Sequence, residues 1–189
     1  MLPGTGSAVP EGNMTDEELM EAFRGGDAKA SDTLFTRYAP QIRSYLLRMV
    51  GNGAQADDLV QATFLSVVRA RGRFLVGSRF KPWVYAIATN AARDARRRGK
   101  SEAVTDDGEL PEEAAEAGPA RDPGLERQVR AALDQLPEAQ REAILLHRFE
   151  GLSFAEVAQV VGLTESAVKV RAHRGYEALR GLLKGVWES

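Results

Sequence analysis

Basic and polar side chains share one face of a helix that the sequence predicts near the C-terminus. At about 100° per residue, that face and its two flanks carry Ser166, Lys169, Val170, Arg171, His173, Arg174 and Glu177. Flanking cations bind DNA phosphates, while Arg174 or Ser166 can reach base edges in the major groove. The spacing therefore indicates a duplex-binding helix, although a solvated face on an ordinary core helix has the same pattern.

A second helix, predicted over residues 80–98, carries an aromatic ring, an amide and arginines on one side. That side is formed by Trp83, Asn90, Arg93, Asp94 and Arg97. Aromatic rings stack on unpaired bases and arginines bind the backbone, so this combination is typical of a surface for single-stranded nucleic acid. The same residues also fit a core tryptophan beside a solvated arginine run.

Few groups in the chain are suited to catalysis. The histidines His147 and His173 lack metal-ligand spacing, and the absence of cysteine excludes disulfides, thiolate metal sites and cysteine nucleophiles. Asp57 and Asp58 diverge by about 100° on a helix, which is unfavourable for sharing a proton or a metal ion. We therefore predict that the protein is not an enzyme and needs no metal or cofactor.

Charge is unevenly distributed along the 189 residues. Residues 1–98 have a balance of +4, residues 99–123 a balance of −6, and residues 124–189 are neutral. The acidic segment lacks apolar periodicity and predicts a flexible linker, while the Gly/Pro-rich residues 1–13 predict a disordered tail. No apolar run reaches the roughly 18 residues of a membrane span, and no secretory signal is present. We therefore expect a cytoplasmic protein without membrane insertion.

Two helices joined by a tight turn must position the first of these faces. Ser153 and Glu156 form an S-x-x-E capping box that begins a short helix, and Gly162 ends it in a left-handed conformation. Thr164 caps the longer helix, whose apolar positions recur at helical spacing from Val168. This arrangement predicts a helix-turn-helix motif.

Helices are also predicted throughout the N-terminal part of the chain. Thr15 and Glu18 form a capping box for a short helix that ends at residues 25–26, and a longer one follows to residue 50, kinked or divided by Pro40. The remaining segments are a helix over 54–71, a polar loop over 72–79 and the helix over 80–98. The predicted fold is all-α, with two small helical domains joined by the flexible acidic linker.

Three sequence blocks, in this order, resemble the extracytoplasmic-function (group 4) sigma factors of bacterial RNA polymerase. ADDLVQATFLSVV (56–68) is similar to region 2.2 of that family, and RFKPWVYAIATNAARDARRR (79–98) is similar to regions 2.3 and 2.4. LDQLPEAQREAILLHRFEGLSFAEVAQVVGLTESAVKVRAHRGYEALR (133–180) is similar to region 4. The resemblance implies a transcription initiation factor that directs core polymerase to promoters. A stand-alone helix-turn-helix regulator is the alternative.

The resemblance also implies a role for each part of the chain. A disordered tail (1–13) precedes a region 2-like domain (14–98) that binds polymerase and recognises and melts the −10 element. The linker (99–123) leads to a region 4-like domain (124–189) that recognises the −35 element. The implied partners are core RNA polymerase, through its β′ clamp helices and β flap, promoter DNA and an anti-sigma factor. The protein would then associate with the nucleoid, or be held at the membrane by its anti-sigma factor.

The family pattern carries over residue by residue onto three sets. The residues expected to bind core polymerase are Asp57, Asp58, Gln61 and Phe64. Those expected to bind −10 DNA are Arg73, Phe74, Arg79, Lys81, Trp83, Asn90, Arg93, Asp94 and Arg97. Those expected to bind −35 DNA are Ser166, Lys169, Val170, Arg171, His173 and Arg174.

Departures from the family pattern fall at three positions. Asp94 stands where a neutral or amide side chain is frequent, and Val170 where a small polar residue is common, so the family's promoter preference does not carry over. Gly175 costs a helix about 1 kcal/mol relative to alanine.

The charge pattern also leads to an expectation about the free protein. We expect it to be compact, with the acidic linker lying near Arg93, Arg96 and Arg97, and to be opened by core polymerase.

Overall fold

The computed structural model describes residues 13–103 and 123–184, which are helical and contain no strand. The helices are α1 (Asp16–Arg24), α2 (Ala28–Val50), α3 (Gly53–Ala70), α4 (Phe80–Ala103), α5 (Pro123–Asp134), α6 (Glu138–Ile144), α7 (Phe154–Val161) and α8 (Glu165–Leu182). A 3₁₀ turn, Arg71–Arg73, follows α3, and a π-helical turn, Leu145–Phe149, extends α6. The all-α prediction is confirmed. The predicted tail and most of the predicted linker lie outside the described residues.

Side-chain caps fix the helix starts that the sequence predicts. Thr15 Oγ1 accepts the Glu18 N–H at 3.2 Å, and the Glu18 carboxylate accepts the Thr15 N–H at 2.7 Å. Ser153 and Glu156 repeat this exchange at 3.2 and 2.9 Å. Each capping box satisfies N–H groups that have no partner within the helix, and each begins its helix at the predicted residue.

The predicted division of one helix and the predicted end of another were wrong, while the alternative of a kink at Pro40 stays a prediction. Helix α2 passes through Pro40 without a break, because Pro40 is exposed and the buried residues on either side of it, Tyr38 and Ile42, hold the helix against the domain. A proline inside a helix costs about 3 kcal/mol, whereas burying a large apolar side chain contributes about 1.5 to 3 kcal/mol. Helix α4 continues to Ala103, so the first residues of the predicted linker are helical.

The N-terminal domain encloses a core between α1, α2, α3 and α4. Its centre is the buried pair Tyr45 and Tyr85, whose rings meet edge to face at 5.4 Å. Tyr45 Oη lies 2.8 Å from Thr89 Oγ1, which satisfies two buried hydroxyl groups at once. This packing holds α4 across the domain and determines which of its residues face outward.

The C-terminal domain is built on the crossing of α6 and α8. A Cβ on Gly175 would lie 2.6 Å from Ile144 Cδ1, so a larger residue at this position requires the Ile144 side chain to move. Helix α7 precedes α8 through a turn at Gly162, whose φ of 72° is left-handed as predicted. Thr164 Oγ1 then accepts the Ala167 N–H at 3.2 Å and begins α8. The predicted helix-turn-helix is therefore confirmed.

Candidate polymerase and promoter interfaces

The α3 surface combines exposed carboxylates with an apolar cleft. Asp58 and Gln61 are exposed, whereas the Asp57 carboxylate accepts a 2.6 Å hydrogen bond from the Arg43 guanidinium. Phe64 is half-buried and meets the exposed ring of Phe35 edge to face at 4.7 Å. The four predicted polymerase-binding residues thus lie along one helix, but Asp57 already has a partner.

An apolar cleft lies beside Phe64 on this surface. It has a volume of about 330 Å³, and its apolar lining includes Phe23, Leu34, Phe35, Phe64, Leu65, Val67 and Val68. Leu65 and its neighbour Val68 are both exposed. Contiguous exposed apolar side chains of this kind are typical of an interaction site. Sequence reasoning missed Phe35, Leu65 and Val68, since helical periodicity assigns Phe35 and Val68 to the core face.

The loop before α4 presents cations and two apolar side chains. Arg73 and Arg79 are exposed, and so are Leu75 and Val76, at 72% and 74% of their surface. Phe74 is only 2% exposed, because its ring packs against Phe80 and Trp83. Phe74 therefore has a core role in this structure, and its contact with DNA stays a prediction. Leu75 and Val76 were missed, although an apolar pair between glycines and arginines in a predicted loop was a usable signal.

The α4 face is divided between the core and the solvent. Trp83 is half-buried, with its ring 5.2 Å from that of Phe74 and 6.0 Å from that of Phe80. Asn90 is exposed, and Asp94 is ion-paired with Arg97 one turn further along the helix. These side chains share one side of α4, as predicted.

Acidic residues of the C-terminal domain form ion pairs with two further arginines of α4. Arg93 donates two hydrogen bonds to the Glu142 carboxylate, at 2.8 and 2.6 Å, and Arg96 lies 3.7 Å from Glu138. The hydrogen bonds from Arg93 to Glu142 raise the pKa of the guanidinium. Glu142 is buried, and a bidentate pair of this kind is among the strongest polar contacts in proteins.

Helix α7 and the end of the π-helical turn extend this contact. Arg79 forms a 2.8 Å ion pair with Glu156, whose other oxygen serves the capping box of α7. Tyr85 Oη donates a 2.5 Å hydrogen bond to the buried Glu150 carboxylate, and burial raises the pKa of Glu150. Arg79 and Arg93, both predicted to bind −10 DNA, are thus paired with carboxylates of the other domain.

The outward face of α8 lies away from the ion pairs that join the two domains. The exposed residues that were predicted to bind −35 DNA are Ser166, Lys169, Val170, His173 and Arg174. Lys169 Nζ is held 2.7 Å from the Glu165 carboxylate, at the start of the helix. Arg171 is half-buried and lines a cleft of about 320 Å³ with Arg93, Arg96 and Arg97, so it faces the N-terminal domain. The structure therefore separates Arg171 from the other five.

Comparisons with known proteins assign the same two regions. Residues 34–102 match the family model for sigma-70 region 2, and residues 126–179 match the model for sigma-70 region 4. The chain is 48% identical over 167 residues to the RNA polymerase sigma factor CarQ of Myxococcus xanthus, covering 87% of this chain and 95% of that protein. It is 33% identical over 177 residues to the sigma-H factor of Pseudomonas aeruginosa, covering 87% and 91%.

Solved structures with the same fold include a sigma factor bound to an anti-sigma factor. RpoE in complex with the anti-sigma factor NepR, from Bartonella quintana, aligns with a TM-score of 0.72 and 27% identity, covering 79% of this chain and 94% of that one. CnrH in complex with the cytosolic domain of CnrY aligns with a TM-score of 0.70 and 25% identity, covering 90% and 97%. This chain therefore belongs to the extracytoplasmic-function sigma factors, the transcription initiation factors that direct RNA polymerase to promoters.

Proposed function

We propose that residues 14–98 bind core polymerase and recognise and melt the −10 element, while residues 124–189 recognise the −35 element. The two domains present different chemistry. One presents the half-buried ring of Trp83, the exposed amide of Asn90 and cationic groups of α4 and its preceding loop, which suit unpaired bases. The other exposes a helix-turn-helix whose second helix fits a major groove. The observation that carries the proposal is the presence of both surfaces in one chain that belongs to this family.

The polymerase contact is assigned to α3. Asp58 and Gln61 provide exposed polar contacts, and the cleft beside Phe64 provides apolar area, a mixture typical of protein interfaces. The β′ clamp helices are the proposed partner of this surface, and the β flap is the proposed partner of the C-terminal domain. A protein that works on this polymerase acts in the cytoplasm at the nucleoid. None of the described helices is both long and apolar enough to cross a membrane.

An anti-sigma factor is the proposed negative regulator. One structural relative, RpoE, is solved in complex with the anti-sigma factor NepR, and another, CnrH, in complex with the cytosolic domain of CnrY. In this chain the ion pairs of Arg79 and Arg93 already cover part of the −10 surface. A regulator that stabilises this arrangement would keep the protein from promoters, and could hold it at the membrane if the regulator is anchored there.

Transcription from purified components tests the proposal. The protein is added to bacterial core polymerase on duplex and fork-junction promoters drawn from a fragment pool enriched by the complex. We expect promoter-specific transcripts only when both the protein and core polymerase are present, and weak DNA binding by the protein alone. Tight, sequence-specific duplex binding without polymerase would instead identify a stand-alone regulator. Failure to bind core polymerase would refute the proposed function.

A further inference from the structure

Val170 lies at the centre of the outward face of α8. At about 100° per residue, the buried residues Val168, Ala172 and Gly175 all project on the side of the helix opposite to Val170. Ser166 and Arg174 stand one turn before and one turn after Val170 on the exposed side. When this face enters a groove, the residue at its centre goes deepest, and the flanks remain near the phosphates.

An apolar side chain at this central position is unusual on a face that is otherwise polar. Val170 exposes 50% of its surface, and the only other exposed large apolar residue of the described helix α8 is Leu182, in its last turn. Recognition helices contact base edges through their N-terminal residues, and Val170 lies in the second turn. The side chain of Val170 points away from α6, so packing against α6 does not explain why this position is apolar.

The chemistry of the major groove restricts what Val170 can contact. Base edges there present hydrogen-bond donors and acceptors, and one apolar group, the C5-methyl of thymine. A valine donates and accepts no side-chain hydrogen bond, so a cytosine or guanine edge opposite it would lose water without gaining a partner. The thymine methyl is the one base-edge group that gains from contact with Val170.

We propose that Val170 is a specificity-determining residue that contacts a thymine methyl group in the −35 element. The inference rests on the proposed function, because it needs α8 to lie in the −35 major groove. Ser166 and Arg174 flank Val170 and hydrogen-bond neighbouring bases, so the thymine is read by shape and apolarity between two polar contacts.

Replacing thymine by uracil tests the proposal, because this change removes the methyl group and leaves every hydrogen-bonding group in place. A randomised duplex pool is enriched on wild-type holoenzyme, and each −35 thymine of the selected sequence is replaced singly by uracil. Burial of one methyl group predicts about a fourfold loss of affinity at one thymine. With Val170→Ala we expect weaker binding to the thymine duplex, and no further loss with uracil at that position.

A matched control removes an exposed apolar side chain elsewhere on the same helix. Leu182→Ala should keep the full response to uracil, because Leu182 lies in the last turn and off the outward face. A selected −35 element without thymine would overturn the proposal, as would equal uracil responses in wild type and Val170→Ala. If wild-type holoenzyme enriches no sequence at all, the proposed function has failed as well, so the two failures are distinguishable.

Discussion

Gly175 permits the close crossing of α6 and α8. Alanine favours a helix by about 1 kcal/mol over glycine, yet a Cβ here would meet Ile144 Cδ1 at 2.6 Å and Gln140 Cβ at 3.3 Å. The overlap must be relieved by moving α6 or the Ile144 side chain, and overpacking of a core costs about 1 to 3 kcal/mol. The residue that weakens α8 locally is therefore required for the packing of the domain.

This argument predicts opposite effects for two glycines of the same helix. Gly175→Ala should lower the free energy of unfolding by up to about 2 kcal/mol, since the cost of the clash exceeds the gain in propensity. Gly181→Ala, where no neighbour lies within 4 Å of a new Cβ, should raise it by a few tenths to about 1 kcal/mol. Denaturant unfolding followed by circular dichroism measures both. Stabilisation by Gly175→Ala would show that α6 moves aside without cost.

Glu150 should make the stability of the protein depend on pH. Burial raises the pKa of Glu150 above its ordinary value, although the hydrogen bond from Tyr85 and the charges of Arg48 and Lys81 oppose this. The packed form therefore binds the proton more tightly than the unfolded chain. The resulting stabilisation is fully present below the ordinary pKa and is lost as the pH rises through the raised pKa.

The matched variant is Glu150→Gln, which keeps an oxygen for the Tyr85 hydroxyl but cannot ionise. We expect this variant to have the higher Tm at neutral pH, and the difference from wild type to shrink as the pH falls. Melting curves recorded from pH 8 to pH 4.5 provide the measurement. Parallel Tm profiles would mean that the carboxylate of Glu150 is not destabilised by its surroundings.

At the scale of elements, α3 presents two exposed carboxylates, of which Asp57 is ion-paired with Arg43 and Asp58 makes no described contact. Asp58→Arg should weaken core polymerase binding by at least tenfold, because it reverses a charge that has no structural contact to lose. Circular dichroism should show unchanged folding. Glu21→Arg, at an exposed position on α1 that does not line the cleft, is a control with the same change of charge. Equal effects of the two substitutions would indicate a general electrostatic influence in place of a specific contact.

Helix α8 should distinguish base recognition from phosphate binding. Arg174→Ala should weaken holoenzyme binding to the selected −35 element by about 1 to 3 kcal/mol and relax specificity at one position. Arg180→Ala on the same helix should have little effect, since that guanidinium is paired with Glu177. Equal weakening of all sequences by Arg174→Ala would identify a phosphate contact.

The helices could be predicted because local signals agree with the tertiary structure. Capping boxes at Thr15 and Ser153 fix helix starts, and a left-handed glycine at Gly162 fixes an end, all through contacts within one turn. The uninterrupted passage of α2 through Pro40 depends on the burial of Tyr38 and Ile42 against the rest of the domain, so no local rule predicts it. The burial of Phe74 likewise depends on Phe80 and Trp83, which reach it only after the loop has folded back.

At the scale of the whole molecule, the described partners of two α4 arginines come from the C-terminal domain. Arg93 pairs with Glu142, and Arg96 lies near Glu138, both on α6. The predicted position of the acidic linker near these arginines falls outside the described residues and stays a prediction. Composition identified the linker because its acidic residues cluster in one segment without apolar periodicity, whereas the acidic residues of α6 are interspersed with apolar ones. Sequence reasoning predicted a compact free protein, but it could not predict which acidic residues pair with these arginines, because that depends on how the two domains pack.

The pair of Arg93 and Glu142 should control how readily the domains separate. Breaking a buried ion pair by changing one partner costs about 3 to 5 kcal/mol, and Glu142→Arg also places two cations together at a site where Glu142 is now buried. We expect this variant to keep its helical content while its radius of gyration, measured by small-angle X-ray scattering, increases.

The exchange of both charges, Arg93→Glu with Glu142→Arg, should restore the compact dimensions, because it re-forms the pair in the opposite orientation. Glu177→Arg, an equal change of charge on an exposed position, should leave the dimensions unchanged. Unchanged dimensions in Glu142→Arg would show that apolar packing of α4 against α7 holds the domains together without this pair.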